Sequence, residues 1–172
     1  MLTLAAANWH APIYILEKSN QYSAGRLATR FVQGDFKDYE DVYFFGKNTD
    51  ILTIEIEHVN TEALHQLVKE GVIVHPAPDK LDIIKDKGLQ KQFYEDNKLP
   101  TSSFQLFFDA KSIQQAIDKQ ELSYPFVQKS RTAGYDGKGV AVIRSKKDQL
   151  MDTPSVIEPL VDIDKEIAVI VA

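Results

Sequence analysis

The sequence predicts an α/β chain in two parts, with a parallel sheet over residues 1–86 and an α+β part, its sheet antiparallel, over residues 87–172. In the first part, β-branched runs such as "PIYILEK" and "VIVHPAP" alternate with helical patterns, the signature of parallel strands joined by crossovers. In the second, strand-like runs follow one another through short turns. With 172 residues, 44% apolar and 26% charged, the chain is long enough and apolar enough to bury a core.

Each element has its own signal. Residues 1–8, "MLTLAAAN", are rich in small residues and read as a helix, and Pro12 ends any helix there. "PIYILEK" reads as a buried strand of the parallel kind. "AGRLATRFVQGD" predicts a short helix and then a strand closed by Gly34-Asp35. "FKDYEDVYFFGKN" predicts a helix with Asp38 near its start and Gly46 as its stop. "TDILTIEIEHV" reads as one strand from Ile51 to Val59. "NTEALHQLVKEG" is a helix capped by Asn60 or Thr61, with apolar Ala63, Leu64, Leu67 and Val68 and with Gly71 as stop. "VIVHPAP" is a short strand that runs into two prolines.

The lysine-rich stretch "APDKLDIIKDKGLQKQFYEDNKLP" reads as helix broken near Gly88. Beyond Thr101, "SSFQLFF", "YPFVQKS", "GVAVIRS", "SVIEPLV" and "KEIAVIVA" read as strands, with one helix, "DAKSIQQAIDKQ", among them. The chain starts on a helix where an α/β unit ordinarily starts on a strand, and it stops on an apolar strand. Both ends are therefore expected to be cut from something larger.

Composition excludes several classes. A formal charge of −5 argues against a protein that coats nucleic acid. The absence of cysteine removes disulfides, thiolate nucleophiles and Cys-type zinc sites, and it suits a cytoplasmic enzyme. No run approaches the roughly 18–20 apolar residues of a membrane span. The N-terminus has no basic start, and Asn8, His10 and Pro12 break its apolar runs, so it is not expected to be a signal peptide.

Three stretches are candidates for chemistry. In "YPFVQKSRTAGYDGKGV", Gly134, Gly137 and Gly139 lie between two apolar runs, accompanied by Lys129, Arg131 and Lys138. Asp136-Gly137 alone predicts a hairpin turn. A second reading is an anion loop, since glycine lets backbone N–H groups approach a phosphate and Lys129 closes the preceding strand. Both readings stand at this point. A P-loop is excluded, because its lysine follows the glycines and a helix follows the lysine.

In "IEPLVDIDKEIAV", Glu158 and Glu166 stand eight residues apart around an acidic turn. They read either as a solvated turn or as an open strand edge with carboxylates for an adenine and a ribose. In "TIEIEHV", Glu55 and Glu57 are expected on one face of a strand, either solvent-facing or opening on a site at the strand end. His10, His58, His65 and His75 show no metal-site spacing beyond a loose match of His58 with Glu55 or Glu57. His65 reads as a surface residue, and no histidine is assigned a role. No G-x-G-x-x-G opens a helix, which counts against a dinucleotide-binding protein.

Taken together, a strand-terminal lysine, a glycine-rich hairpin, an E-x-x-V and a second Glu resemble the nucleotide site of the ATP-grasp enzymes. "DILTIEIEHVN", "IIKDKGLQKQFYEDNKLPT", "GYDGKG" and "KEIAVIVA" narrow the resemblance to the 5-(carboxyamino)imidazole ribonucleotide synthase family, over nearly the whole chain. The resemblance implies a Rossmann-like pre-ATP-grasp domain over 1–86 and the first α+β subdomain of an ATP-grasp fold over 87–172. It also implies a reaction. ATP phosphorylates bicarbonate to carboxyphosphate, the amine of aminoimidazole ribonucleotide takes up the carboxyl group, and ADP and phosphate leave. The implied partners are these small molecules, with no nucleic acid and no membrane, and the family is often homodimeric.

By position, the resemblance implies that Lys87 and Lys129 hold ATP phosphates, with the loop Gly134–Gly139 folded over them. Glu158, Pro159, Leu160 and Val161 are implied as the adenine hinge and Glu166 as the ribose ligand. Tyr135, Asp136, Lys138 and Glu55, and less securely Glu57, are implied near the aminoimidazole ribonucleotide and bicarbonate. Gly137 and Gly139 complete the loop. Lys87 stands where relatives often carry Arg, which keeps the charge but loses the bidentate fork. Val140 stands where relatives usually carry Gln. The family's "GGGQLG"-type start and its Mg2+-binding carboxylates are not in this sequence, so the chain alone is expected to have little activity. Two rivals remain: another ATP-grasp carboxylase or ligase, and a nucleotide-binding module without catalysis.

Overall fold

A computed structural model of the chain describes residues 2–132, 134 and 139–170, in two compact units, 1–85 and 86–172. The first unit opens with helix α1 (Leu2–Asn8). Strand β1 (Tyr14–Glu17) pairs in parallel with β2 (Arg30–Gln33), Tyr14 opposite Arg30, and a 3-10 turn at Ser23–Arg26 lies between them. Helix α2 (Tyr39–Gly46) leads to β3 (Ile51–Thr53), α3 (Thr61–Lys69), β4 (Ile73–His75) and α4 (Pro78–Lys85). Strands β3 and β4 are also parallel, with Leu52 opposite Val74. Among the described residues the two pairs are not hydrogen-bonded to each other, so the parallel sheet is in two pieces rather than one.

The caps explain where these helices begin. The Asp38 carboxylate accepts from the Asp41 N–H at 3.0 Å, and the Asn60 side-chain oxygen accepts from the Ala63 N–H at 3.0 Å. Gly71, at φ 89°, takes the left-handed exit after α3. Ala63, Leu64 and Leu67 of α3 are fully buried against Val42 of α2, Leu52 of β3, Val74 of β4 and Leu81 of α4. Burial of each such leucine stabilises the unit by about 2 kcal/mol. Val68, expected beside them, is exposed instead.

Two expectations for this unit change in detail. Gly46 does end α2, as its last residue, but without a left-handed turn, since the right-handed Lys47 caps the helix. Its lack of a side chain serves packing, since a Cβ there would crowd the Leu67 side chain, with Cδ2 at 3.0 Å. Secondly, the strand expected from Ile51 to Val59 stops at Thr53. The Ile54 N–H still reaches the His75 carbonyl at 3.2 Å, but β4 then enters Pro76, which has no N–H to extend the ladder. Glu55 and Glu57 consequently lie in bends and turns, not on one strand face.

The second unit begins with α5 (Lys87–Asp96), which breaks from α4 near Gly88 as expected, at its cap Asp86. Strand β5 (Gln105–Phe107), α6 (Ala110–Asp118), β6 (Phe126–Ser130), β7 (Val140–Ile143) and β8 (Ser155–Pro159) follow. The sheet is antiparallel in the order β5-β8-β6-β7. Asp109 starts α6 with a reciprocal capping box to Ser112, accepting from its N–H at 2.7 Å.

Strand alternation gives the sheet two different faces. Phe126, Ile143 and Ile157 point to one side and bury against Ile113 of α6. Gln128, buried on that side, is satisfied by both polar groups of the Met151 backbone and by Ser155. The register sets Val127, Lys129, Val140, Val142, Val156 and Glu158 on the other side.

The run "KEIAVIVA", expected as a strand, is none over its described residues. Residues 161–170 have no regular structure, and Ile167, Val169 and Ile170 are exposed. No described strand pairs with this run, and unpaired backbone does not hold a strand. Among the described residues no helix is long and apolar enough to cross a membrane.

Candidate functional site

Val127 faces Glu158 across the β6–β8 ladder and Lys129 faces Val156, so Lys129 and Glu158 are diagonal neighbours on one face. The Lys129 ammonium pairs with one oxygen of the Glu158 carboxylate. Lys91, reaching in from α5, pairs with the other. That second oxygen also accepts the Ser102 hydroxyl at 2.6 Å. Lys91 further donates to Thr101 Oγ1 at 2.6 Å and to Ser102 Oγ at 2.8 Å.

Glu158 is buried, at 5% exposure. Burial alone raises its pKa, but Lys129, Lys91 and Ser102 outweigh it and bring the carboxyl down to about 2. The cluster is thus a fixed buried anion between two cations. Only one of the cations, Lys129 with 35% of its side chain exposed against 13% for Lys91, opens toward solvent. Exposed Val140 and Val142 lie on the same sheet face.

The stem of the glycine loop is equally well defined. The Ser130 N–H donates to the Gly139 carbonyl at 2.8 Å, which closes the loop, and Gly139 has φ 76°, a conformation glycine supplies without strain. The Arg131 N–H donates to the Pro154 carbonyl at 2.9 Å, and the Lys87 N–H donates to the Arg131 carbonyl at 2.9 Å. The Arg131 guanidinium forks onto Asp86. Burial raises the Asp86 pKa, and Arg131 with the Gly88 and Leu89 N–H groups overcomes it, leaving the carboxyl below its ordinary value.

The sequence-derived candidates divide as follows. Lys129 and Glu158 come together, and Lys87 sits one helical turn before Lys91 on α5. Lys129, expected to point a fixed ammonium at an anion, is fixed here by its pair with Glu158. Gly134 and Gly139 are placed at the loop. Tyr135, Asp136, Gly137 and Lys138, with the Asp136-Gly137 turn, lie outside the described residues. Pro159 ends β8, Leu160 is half-buried, and Val161 and Glu166 are exposed. Glu55, exposed, belongs to the first unit.

In that first unit, His58 shares an open hollow of about 420 Å³ with Lys37, Asn60, Thr61 and Lys85. His65 bonds Asp82 at 2.7 Å. Sequence reasoning missed Lys91, Ser102 and the Asp86–Arg131 fork. The four-residue spacing of Lys87 and Lys91 was a usable signal for the first; nothing in the pattern linked Asp86 to a residue 45 positions on.

Residues 1–85 match the ribonucleotide synthetase preATP-grasp domain and residues 92–172 match the ATP-grasp domain. The chain therefore carries a preATP-grasp domain followed by an ATP-grasp domain. Its relatives are more particular. It is 35% identical over 181 residues to the phosphoribosylaminoimidazole carboxylase of Schizosaccharomyces pombe, a match over 99% of this chain and 32% of that protein. The N5-carboxyaminoimidazole ribonucleotide synthetase of Thermotoga maritima superposes with a TM-score of 0.82 at 30% identity, over 94% of this chain and 43% of that one. The N5-carboxyaminoimidazole synthase of Aspergillus clavatus, solved with ADP and 5-aminoimidazole ribonucleotide, gives 0.77 at 26% identity, over 95% and 44%. The chain thus spans from about a third to less than half of the length of these relatives.

Proposed function

We propose that this chain serves an ATP-dependent carboxylation in purine biosynthesis, converting 5-aminoimidazole ribonucleotide and bicarbonate to the N5-carboxyamino product through carboxyphosphate. The observation that carries this reading is Lys129 on an open sheet face, at the mouth of a glycine loop closed by Ser130 and Gly139. The kinship with enzymes named for this reaction supports it. Bicarbonate is a poor electrophile until one oxygen becomes phosphate. The protein's share is to align the reactants, balance the charge on the moving phosphoryl group and exclude water.

In this reading Lys87 and Lys129 bind the phosphates under the loop of Gly134, Gly137 and Gly139. The segment Glu158–Val161 receives the adenine, Val140 on β7 takes part from the same sheet face, and Glu166 receives the ribose. Tyr135, Asp136, Lys138 and Glu55 are assigned to bicarbonate and the aminoimidazole ribonucleotide. Among the described residues no cluster of three His, Asp or Glu side chains could hold a metal. In this reading the magnesium that accompanies ATP would be held by carboxylates other than these and by the phosphates themselves.

The test is ADP release by the protein carrying this chain. Release that requires both bicarbonate and aminoimidazole ribonucleotide supports the reading. Release driven by formate or another acceptor points to a different ATP-grasp ligase, and tight ATP binding without turnover points to a non-catalytic module. The expected assembly is a homodimer, checked by light scattering.

A further inference from the structure

The two lysines on Glu158 are not equivalent. Lys91 has four acceptors for its three protons: Glu158, Thr101 Oγ1, Ser102 Oγ and the Ser102 carbonyl at 3.3 Å. Among the described residues Glu158 is the one polar partner of the Lys129 ammonium, whose side chain is nearly three times as exposed. A cation with a complete, sheltered set of acceptors stays where it is. One that shares a single carboxylate at an open face can exchange it for a stronger anion.

We propose that Lys91 is a positioning residue that acts as the permanent counter-ion of Glu158, so that Lys129 is the exchangeable one and can leave the carboxylate for a nucleotide phosphate. Without Lys91, Lys129 would be the sole cation for a buried carboxylate, and withdrawing it would strand that charge in a poorly solvated place. The lysine would then be retained and the nucleotide would bind weakly. With Lys91 in place, Glu158 stays ionised and fixed when Lys129 moves. This inference rests on the proposed ATP reading of the site.

The experiment is a double-mutant cycle on ATP affinity and steady-state rates in the protein carrying this chain. Lys91→Met should raise the ATP Kd and KM about tenfold, with kcat and the KM for the other substrates within about twofold. Lys91→Arg, which keeps the charge, should restore most of the affinity. In a Glu158→Gln background, Lys91→Met should lose most of its effect, because the carboxylate through which it acts is gone. Should Lys91→Met not fold, Ser102→Ala removes the neutral donor on the same oxygen and should shift ATP affinity in the same direction, about twofold.

Unchanged ATP affinity in a folded Lys91→Met protein overturns the inference. So does an equal penalty with and without Glu158, since Lys91 would then touch the nucleotide directly. A wild-type protein that binds no ATP sinks the functional reading itself, a result these comparisons among variants keep separate.

Discussion

Arg131 holds Asp86 through two parallel bonds, Nε to Oδ1 at 2.9 Å and Nη2 to Oδ2 at 2.7 Å. The same carboxylate caps α5 by accepting from the Gly88 N–H at 2.7 Å. The residue that follows Lys129 and Ser130 into the glycine loop is thereby tied to the start of the helix that carries Lys87 and Lys91. Arg131→Lys keeps the charge but loses the fork. Both side chains are largely shielded, at 23% and 18% exposure, so the substitution is expected to cost about 1–2 kcal/mol. Urea denaturation measures this, and an unchanged midpoint would mean the fork contributes nothing to stability.

Gly88 is the residue that lets the guanidinium come so close. A Cβ there would lie 2.6 Å from Arg131 Nε. Gly88→Ala ordinarily favours a helix by about 1 kcal/mol. Here the new methyl group pushes Arg131 off Asp86, and the net result expected is a loss of about 1 kcal/mol. In an Arg131→Ala background the same change should become stabilising. Equal effects in both backgrounds would show that the methyl group and the guanidinium do not compete.

Glu158 gives the chain an acid-sensitive term with a definite sign. Its pKa is lowered from 4.5 to about 2 in the folded chain. The stability this contributes is complete above pH ~5 and is lost as pH falls through 4.5 toward 2. Glu158→Gln should lower stability at pH 7 by about 2–3 kcal/mol, and its deficit relative to wild type should shrink toward pH 3. Glu70, also brought to about 2 by Lys47, Gln66 and Tyr43, titrates in the same window, so the difference between the two proteins is the quantity to measure. A deficit independent of pH would contradict the ion-pair account.

Lys129→Ala separates binding from folding. Glu158 keeps Lys91 and Ser102, so stability should fall by no more than about 1 kcal/mol. ATP affinity should drop by about tenfold or more, read by calorimetric titration. Unchanged affinity would remove Lys129 from the phosphate site.

Much of this fold is legible in the sequence because its signals are local. Asp38, Asn60 and Gly71 announce helix ends through bonds to residues a few positions away. The runs that became β5 to β8 are short, apolar and bounded by turns. Local pattern failed where a distant neighbour decided the outcome. "TIEIEHV" carries strand residues throughout, yet Pro76, just past the partner strand, ends the ladder early. Gly46 does end its helix, yet what requires a glycine there is Leu67, in another helix. Residues 167–170 of "IAVIVA" have strand propensity but no described strand beside them. In the site, Lys129 and Glu158 could be singled out from their motif, whereas Lys91 and Ser102 join them only through tertiary packing.

The strand order β5-β8-β6-β7 has a consequence for synthesis. Among the described strands β8 is the last to leave the ribosome, yet it sits between β5 and β6. From Phe107 to Ser155 the ribosome adds residues for roughly 2–10 s at ~5–20 residues per second. Throughout that interval the nascent β5 lacks its neighbour, and β6 has only β7. Two backbone edges stay open to wrong partners. The strand that resolves this also delivers Glu158, so the emerging chain carries Lys91 and Lys129 without their shared carboxylate until the sheet is sealed.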